Sequence, residues 1–195
     1  MDFDSIENFK VKTVGLLTDR NCLITDKAGK LCFSARQDFA HPQIYSKVYR
    51  ESETKNPIME IKQDGWIQFL PAFSIYKIEG SDKILVARVK TLLSFWMLKL
   101  HITNESGVVI GSLKENFSNV LLRFSLYAGR YKIGYMNIKR YSAISPSNEV
   151  EMVLEKDVIQ KFNKNIMLGL GIIMNLYGCP GEVSRRIAQI NLSMK

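Results

Sequence analysis

Asn165-Ile166-Met167-Leu168-Gly169-Leu170-Gly171-Ile172-Ile173-Met174-Asn175-Leu176-Tyr177 is apolar on every side when wound at helical pitch, and Gly178-Cys179-Pro180-Gly181 then stops it. A helix without a polar face must be enclosed by protein or by lipid. At ~1.5 Å per residue the run is roughly 20 Å long, well short of the ~30 Å hydrocarbon core of a bilayer. Length therefore favours a plug inside the protein over a membrane span. On this reading a helix over residues 164–177 buries Ile166, Met167, Leu168, Leu170, Ile172, Ile173 and Leu176. Gly169 and Gly171 weaken an isolated helix but let surrounding strands come close.

The enclosure is written upstream. An alternating apolar run, a polar turn containing Gly, and a second alternating run ending in Lys or Arg recur along the chain. The first copy runs Leu23 to Arg36 about Gly29, with Leu31, Phe33 and Ala35 on one face and Cys32, Ser34 and Arg36 on the other. The others run Phe73 to Lys90 about Gly80, Leu98 to Lys114 about Gly107, and Leu122 to Arg140 about Gly129, with a further strand at Val150 to Glu155. Side chains alternate faces with a period of two, so each hairpin offers an apolar face that it cannot bury alone. Closing the hairpins on one another buries those faces and removes free edges. The pattern predicts a mainly β (α+β) single domain over residues 1–195. A closed antiparallel β-barrel of about 10–12 strands, residues 11–155, surrounds the helix. Polar Pro42 to Asn56 reads as a surface excursion between strands, and Glu182 to Lys195 as a short packed element or a docking arm.

At 195 residues the chain suits one hydrophobic core, and its 46% apolar and 24% charged residues are those of a folded globular protein. A net charge of +8 gives a positive outer field, which attracts anionic membrane, nucleic acid or an acidic protein without distinguishing them. Cys22, Cys32 and Cys179 match no zinc spacing and read as free thiols of a reducing compartment. Met1 to Lys10 carries Asp2, Asp4 and Glu7 with no apolar run behind them, unlike a secretory or mitochondrial leader. A cytosol-facing protein is the default, with import into an organelle by an internal signal as the alternative.

No catalytic apparatus is legible: there is no G-x-S-x-G, no phosphate-cradling Gly loop followed by Lys, and no H-E-x-x-H. His41 and His101 are isolated, and a lone strand histidine is far more often exposed or satisfied than a metal ligand. Cys22 and Cys32 flank the first hairpin and read as packing thiols ahead of a redox pair. The chain thus reads as a non-enzyme without metal or cofactor. Its basic residues are the better lead. Arg88 and Lys90, two apart on a strand, share a face, while Arg130, Lys132, Lys139 and Arg140 begin or end the fourth hairpin. Clustered cations recognise phosphate, Arg by its bidentate fork and Lys as a point charge, yet the same residues suit a solvated strand rim. Trp66, Phe69, Phe95, Trp96, Tyr131 and Tyr135 offer surfaces for base stacking, but barrel aromatics are more often core and girdle, which makes nucleic acid the weaker partner. Phe95-Trp96-Met97-Leu98 is either a strand buried on both faces or an exposed contact patch.

Serial Gly-turn hairpins followed by one enclosed helix resemble the tubby C-terminal-like barrel of tubby proteins, phospholipid scramblases and LURP-one-related proteins. The likeness spans Val11 to Gly178. It is most specific at Ile110-Gly111-Ser112-Leu113-Lys114-Glu115-Asn116, at Leu122-Arg123-Phe124-Ser125-Leu126-Tyr127 and at Asn165-Ile166-Met167-Leu168-Gly169, where it favours the scramblase branch. The resemblance implies a non-enzymatic module, peripheral on a cytosolic or organellar (mitochondrial) membrane. Strand-borne basic pairs such as Arg88-Val89-Lys90 would bind anionic phospholipid, phosphoinositide in particular, with lipid scrambling as an extension. The alternative is a structural or assembly subunit that keeps the barrel as an interaction scaffold, with Phe95 to Leu98, Pro42 to Asn56 and the Glu182 to Lys195 tail as contacts. Two departures stand out. Asn148 to Asp157 alternates like a strand and lacks the closely spaced Asp set of a calcium loop, and the family's Pro-rich leader and acylated cysteine cluster are missing.

Overall fold

Alternation of apolar and polar residues continues right round the molecule. The computed structural model describes residues 8–14, 21–38, 45–51, 53, 55–65, 71–92, 99–116, 122–140, 148–155 and 162–176. Within them the chain forms β1 (Asn8–Val14), β2 (Asn21–Asp26), β3 (Leu31–Gln37), β4 (Tyr45–Arg50), β5 (Met59–Asp64), β6 (Ala72–Glu79), β7 (Asp82–Leu92), β8 (Lys99–Thr103), β9 (Val109–Asn116), β10 (Leu122–Ala128), β11 (Tyr131–Arg140), β12 (Asn148–Leu154) and α1 (Lys164–Leu176). Every strand pairs antiparallel with its neighbours in sequence, and β12 pairs with β1, so the sheet closes. At that seam Phe9 lies opposite Met152 and Val11 opposite Val150.

Closure has a geometric consequence. Twelve strands about 4.8 Å apart and tilted by roughly 40° form a cylinder of roughly 12 Å radius. Side chains alone do not fill that width, but one helix on the axis does. From Ile166 to Leu176 every residue of α1 is buried. Strands on opposite walls touch it: an added Cβ on Gly169 would stand 2.5 Å from Ile75 of β6, and one on Gly171 would stand 3.0 Å from Phe9 of β1. The greasy segment is therefore sheathed by the sheet, as its composition demands. Asn163 begins the helix, its Oδ1 accepting the Asn165 amide at 2.9 Å.

The turns expected at Gly29, Gly80, Gly107 and Gly129 all join adjacent strands. Gly29 (φ 83°) and Gly107 (φ 77°) take a left-handed conformation that a side chain disfavours. Each closes a loop opened by a short acceptor: Asp26 Oδ1 accepts the Lys30 amide, and Asn104 Oδ1 the Val108 amide, both at 2.9 Å. These turns share one end of the barrel with the start of α1, where Phe162 packs against Gly111. Toward the opposite end the inward positions turn polar, with Thr13, Ser46, Gln63, Thr91 and Glu115 all buried.

Asn175 of α1 meets that polar layer. Its Oδ1 accepts from Thr13 Oγ1 at 2.5 Å and from Cys22 Sγ at 3.0 Å, while its Nδ2 donates to the Val11 carbonyl at 2.9 Å. In the otherwise apolar stretch Ile166 to Leu176 this contact fixes rotation and depth, because other registers strand buried polar groups. Cys22 is thus an interior packing thiol, and burial pushes its pKa upward. Cys32 lies on the other face of the sheet, its Sγ donating to the Lys30 carbonyl at 3.4 Å.

One sequence expectation is corrected. Pro42 to Asn56 contains β4, which pairs with β3 and β5, and Ser46 and Val48 on it are fully buried. Its alternation is disguised because an inward site is filled by Ser46 and the outward sites by Tyr45, Lys47 and Tyr49, an outward set that mixes aromatic and charged residues. Phe95 to Leu98, Trp66, Phe69, His41, Tyr177, Cys179 and the Glu182 to Lys195 tail lie outside the described residues.

Candidate anion-binding face

The strand period places the cations. On β7, Ala87, Val89 and Thr91 face inward, so Arg88 and Lys90 stand outward and exposed. The ladder sets His101 of β8 opposite Lys90 and Thr103 opposite Arg88. Across the next ladder His101 faces Ser112 of β9, and Lys99 faces Lys114. Lys114 in turn lies opposite Ser125 of β10, two residues along from Arg123. Arg88, Lys90, Lys99, Lys114 and Arg123 thus share one outer wall, with His101 among them.

Like charges directly opposite on neighbouring strands repel, and Lys99 with Lys114 is such a pair. Part of this charge rests on aromatic rings: Lys114 Nζ stands 4.6 Å from the Tyr127 centroid, and the Arg123 guanidinium 4.0 Å from that of Tyr135. The Arg123 Nε hydrogen is buried without an acceptor among the described residues. From Arg88 to Leu92 on β7 and across β8, β9 and β10, no outward position carries a carboxylate. Glu115 points into the barrel opposite Phe124.

The adjoining wall, β11, β12 and β1, is charge-balanced. Lys132 stands 3.9 Å from Glu155, Lys139 3.8 Å from Glu149, and Lys10 4.0 Å from Glu151. Exposed pairs of this kind add little stability, but they cancel the field that an anion would feel. Arg130 is exposed in the β10–β11 turn, and Arg140 ends β11 opposite Asn148. Arg88 and Lys90 therefore do not converge with Lys132 and Lys139. Arg88 and Lys90 are separated from β11 by three strands, roughly 19 Å along the wall. In place of the fourth-hairpin cations, the fold brings Lys99, Lys114 and Arg123 toward Arg88 and Lys90. Alternation alone marks these three as outward; only strand order and register make them neighbours.

His101 is half-buried on this wall, and burial, followed by the charges of Lys99 and Lys114, holds its pKa below the ordinary histidine value. Among the described residues no His, Cys, Asp or Glu cluster is placed to hold a metal ion, and no helix is long and apolar enough to cross a membrane. Compared with known proteins, the chain matches no family model and no curated sequence.

Proposed function

We propose that this protein is a non-enzymatic module that binds anionic phospholipid at a membrane surface through the outer wall of β7–β10. One observation carries the reading: five cations on adjacent strands, Arg88, Lys90, Lys99, Lys114 and Arg123, face outward without a carboxylate among them. Such a wall suits phosphate, with arginine forks and lysine point charges at spacings set by the ladder. Phosphoinositide headgroups, with several phosphates, match its breadth better than a single charge does. The closed barrel about one helix is also the architecture that the tubby-like and scramblase-like resemblance implies, which supports placing the protein near those families. Lipid scrambling is the weaker extension, because α1 is held inside the barrel.

The test is co-sedimentation with phosphatidylcholine vesicles containing a phosphoinositide. Charge reversal at Arg88 and Lys90 is expected to remove most binding, whereas reversal at Lys132 and Lys139 leaves more than half. Equal losses from the two double variants, or none from either, refute the assignment to β7–β10.

A protein-interaction scaffold is the second reading. Its support is the exposure of Ile84, Val108, Val109 and Tyr131 at the turn end, with Tyr131 79% exposed. Elution of the native protein as part of a larger complex, with no vesicle binding, would favour it.

A further inference from the structure

The charge environment of His101 carries a second inference, which rests on the anion-binding reading of the β7–β10 wall. We propose that His101 takes up a proton when a phosphate-bearing headgroup binds, so that anion binding by this wall strengthens as the pH falls.

The surroundings of the imidazole argue for it. From β7 it is faced by Lys90 directly and by Arg88 and Leu92 diagonally. From β9 it is faced by Ser112 directly and by Lys114 diagonally, and on its own strand Lys99 and Thr103 flank it. Every charged group in this set is a cation, and no carboxylate among the described residues stands ready to neutralise an imidazolium. Without an anion beside them, Lys99 and Lys114 oppose protonation. A bound phosphate reverses the sign, because its oxygens neutralise Lys90, Lys99 and Lys114 and offer the imidazolium an acceptor. Thermodynamic linkage makes the two events reciprocal: whatever raises proton affinity on binding raises anion affinity on protonation. The proton comes from solvent and no covalent bond changes. A further unit charge a few ångströms from an anion at a protein surface is worth about five- to tenfold in affinity.

The probe is a phosphatidylcholine vesicle containing phosphatidylglycerol, whose phosphodiester charge stays constant between about pH 7.5 and about pH 5.5, the interval in which histidine titrates. Wild type is expected to bind about five- to tenfold more tightly at the lower pH. His101→Gln loses the increment between the two pH values. Retention of the full increment by His101→Gln, or its absence in wild type, overturns the proposal and leaves the lipid-binding wall standing. Failure of Arg88→Glu/Lys90→Glu to weaken binding at the higher pH removes the wall itself. An independent readout needs no variant: the His101 imidazole resonance, titrated with and without ligand, shows a pKa that rises on binding. A rise with inorganic sulfate alone supports the proposal with a free oxyanion as ligand, and a rise only with vesicles supports it with the lipid headgroup. An unmoved resonance with both overturns it.

Discussion

Replacing Gly169 with alanine sets two effects of known size against each other. In an isolated helix Gly→Ala is stabilising by about 1 kcal/mol, because glycine loses the most backbone freedom on folding. Inside the barrel the new methyl would stand 2.5, 3.0 and 3.1 Å from the Cδ1, Cγ1 and Cγ2 atoms of Ile75. All three belong to a fully buried side chain, so one rotamer change does not clear them. Overpacking of this kind costs about 1–3 kcal/mol. The net expectation is a loss of about 1 kcal/mol, or a melting temperature lower by about 2–4 °C in a chain of this size. Ile75→Val removes Cδ1, the nearest of the three atoms, and alone costs about 0.5–1.5 kcal/mol. The double variant should be more stable than the sum of the singles by about 1 kcal/mol, since the truncated side chain makes room for the methyl. Urea unfolding followed by circular dichroism measures all four corners of the cycle. A Gly169→Ala protein about 1 kcal/mol more stable than wild type, with effects additive to Ile75→Val, would refute the enclosure of α1 against β6.

Two further outcomes follow from the interior polar contacts. Asn175→Ala leaves the Val11 carbonyl and the Thr13 hydroxyl buried without this partner, and is expected to cost about 2–4 kcal/mol in urea unfolding. Adding Thr13→Val should recover part of that loss, and further loss would contradict the pairing. Cys22 gives the protein an alkaline limit. Its folded pKa lies above the ordinary thiol value of 9.0, so the fold holds this proton more tightly than the unfolded chain does. The contribution is fully present below about pH 9 and is lost as the pH rises further, at up to about 1.4 kcal/mol per pH unit for one group. Cys22→Ala should flatten that slope in unfolding measured on either side of the thiol range, and an unchanged slope would assign it elsewhere.

Much of the fold is legible in the chain because it depends on local chemistry. Gly29, Gly80, Gly107 and Gly129 mark tight turns, and the runs on either side of them alternate clearly. The helix announces itself by lacking a polar face. β4 is not legible, because Ser46 at an inward position and Tyr49 at an outward one break the apolar pattern, and pairing with β3 and β5 supplies what propensity does not. The candidate site is legible only in part. Arg88 and Lys90 stand two apart on one strand, which is a sequence fact. Their grouping with Lys132 and Lys139 is not, since these lysines lie beside Glu155 and Glu149 on β11, with three strands between.

By itself the sequence determined which side is wet in the strands flanking the glycine turns and that one apolar helix required a sheath, since both depend on the two-residue period of strands and the 3.6-residue period of helices. Tertiary structure alone decided that Lys90 of β7, His101 of β8 and Lys114 of β9 share one wall, and that Lys132 and Lys139 stand beside Glu155 and Glu149. Register across a ladder is set by hydrogen bonding and barrel closure between residues far apart in the chain, and no local period encodes it.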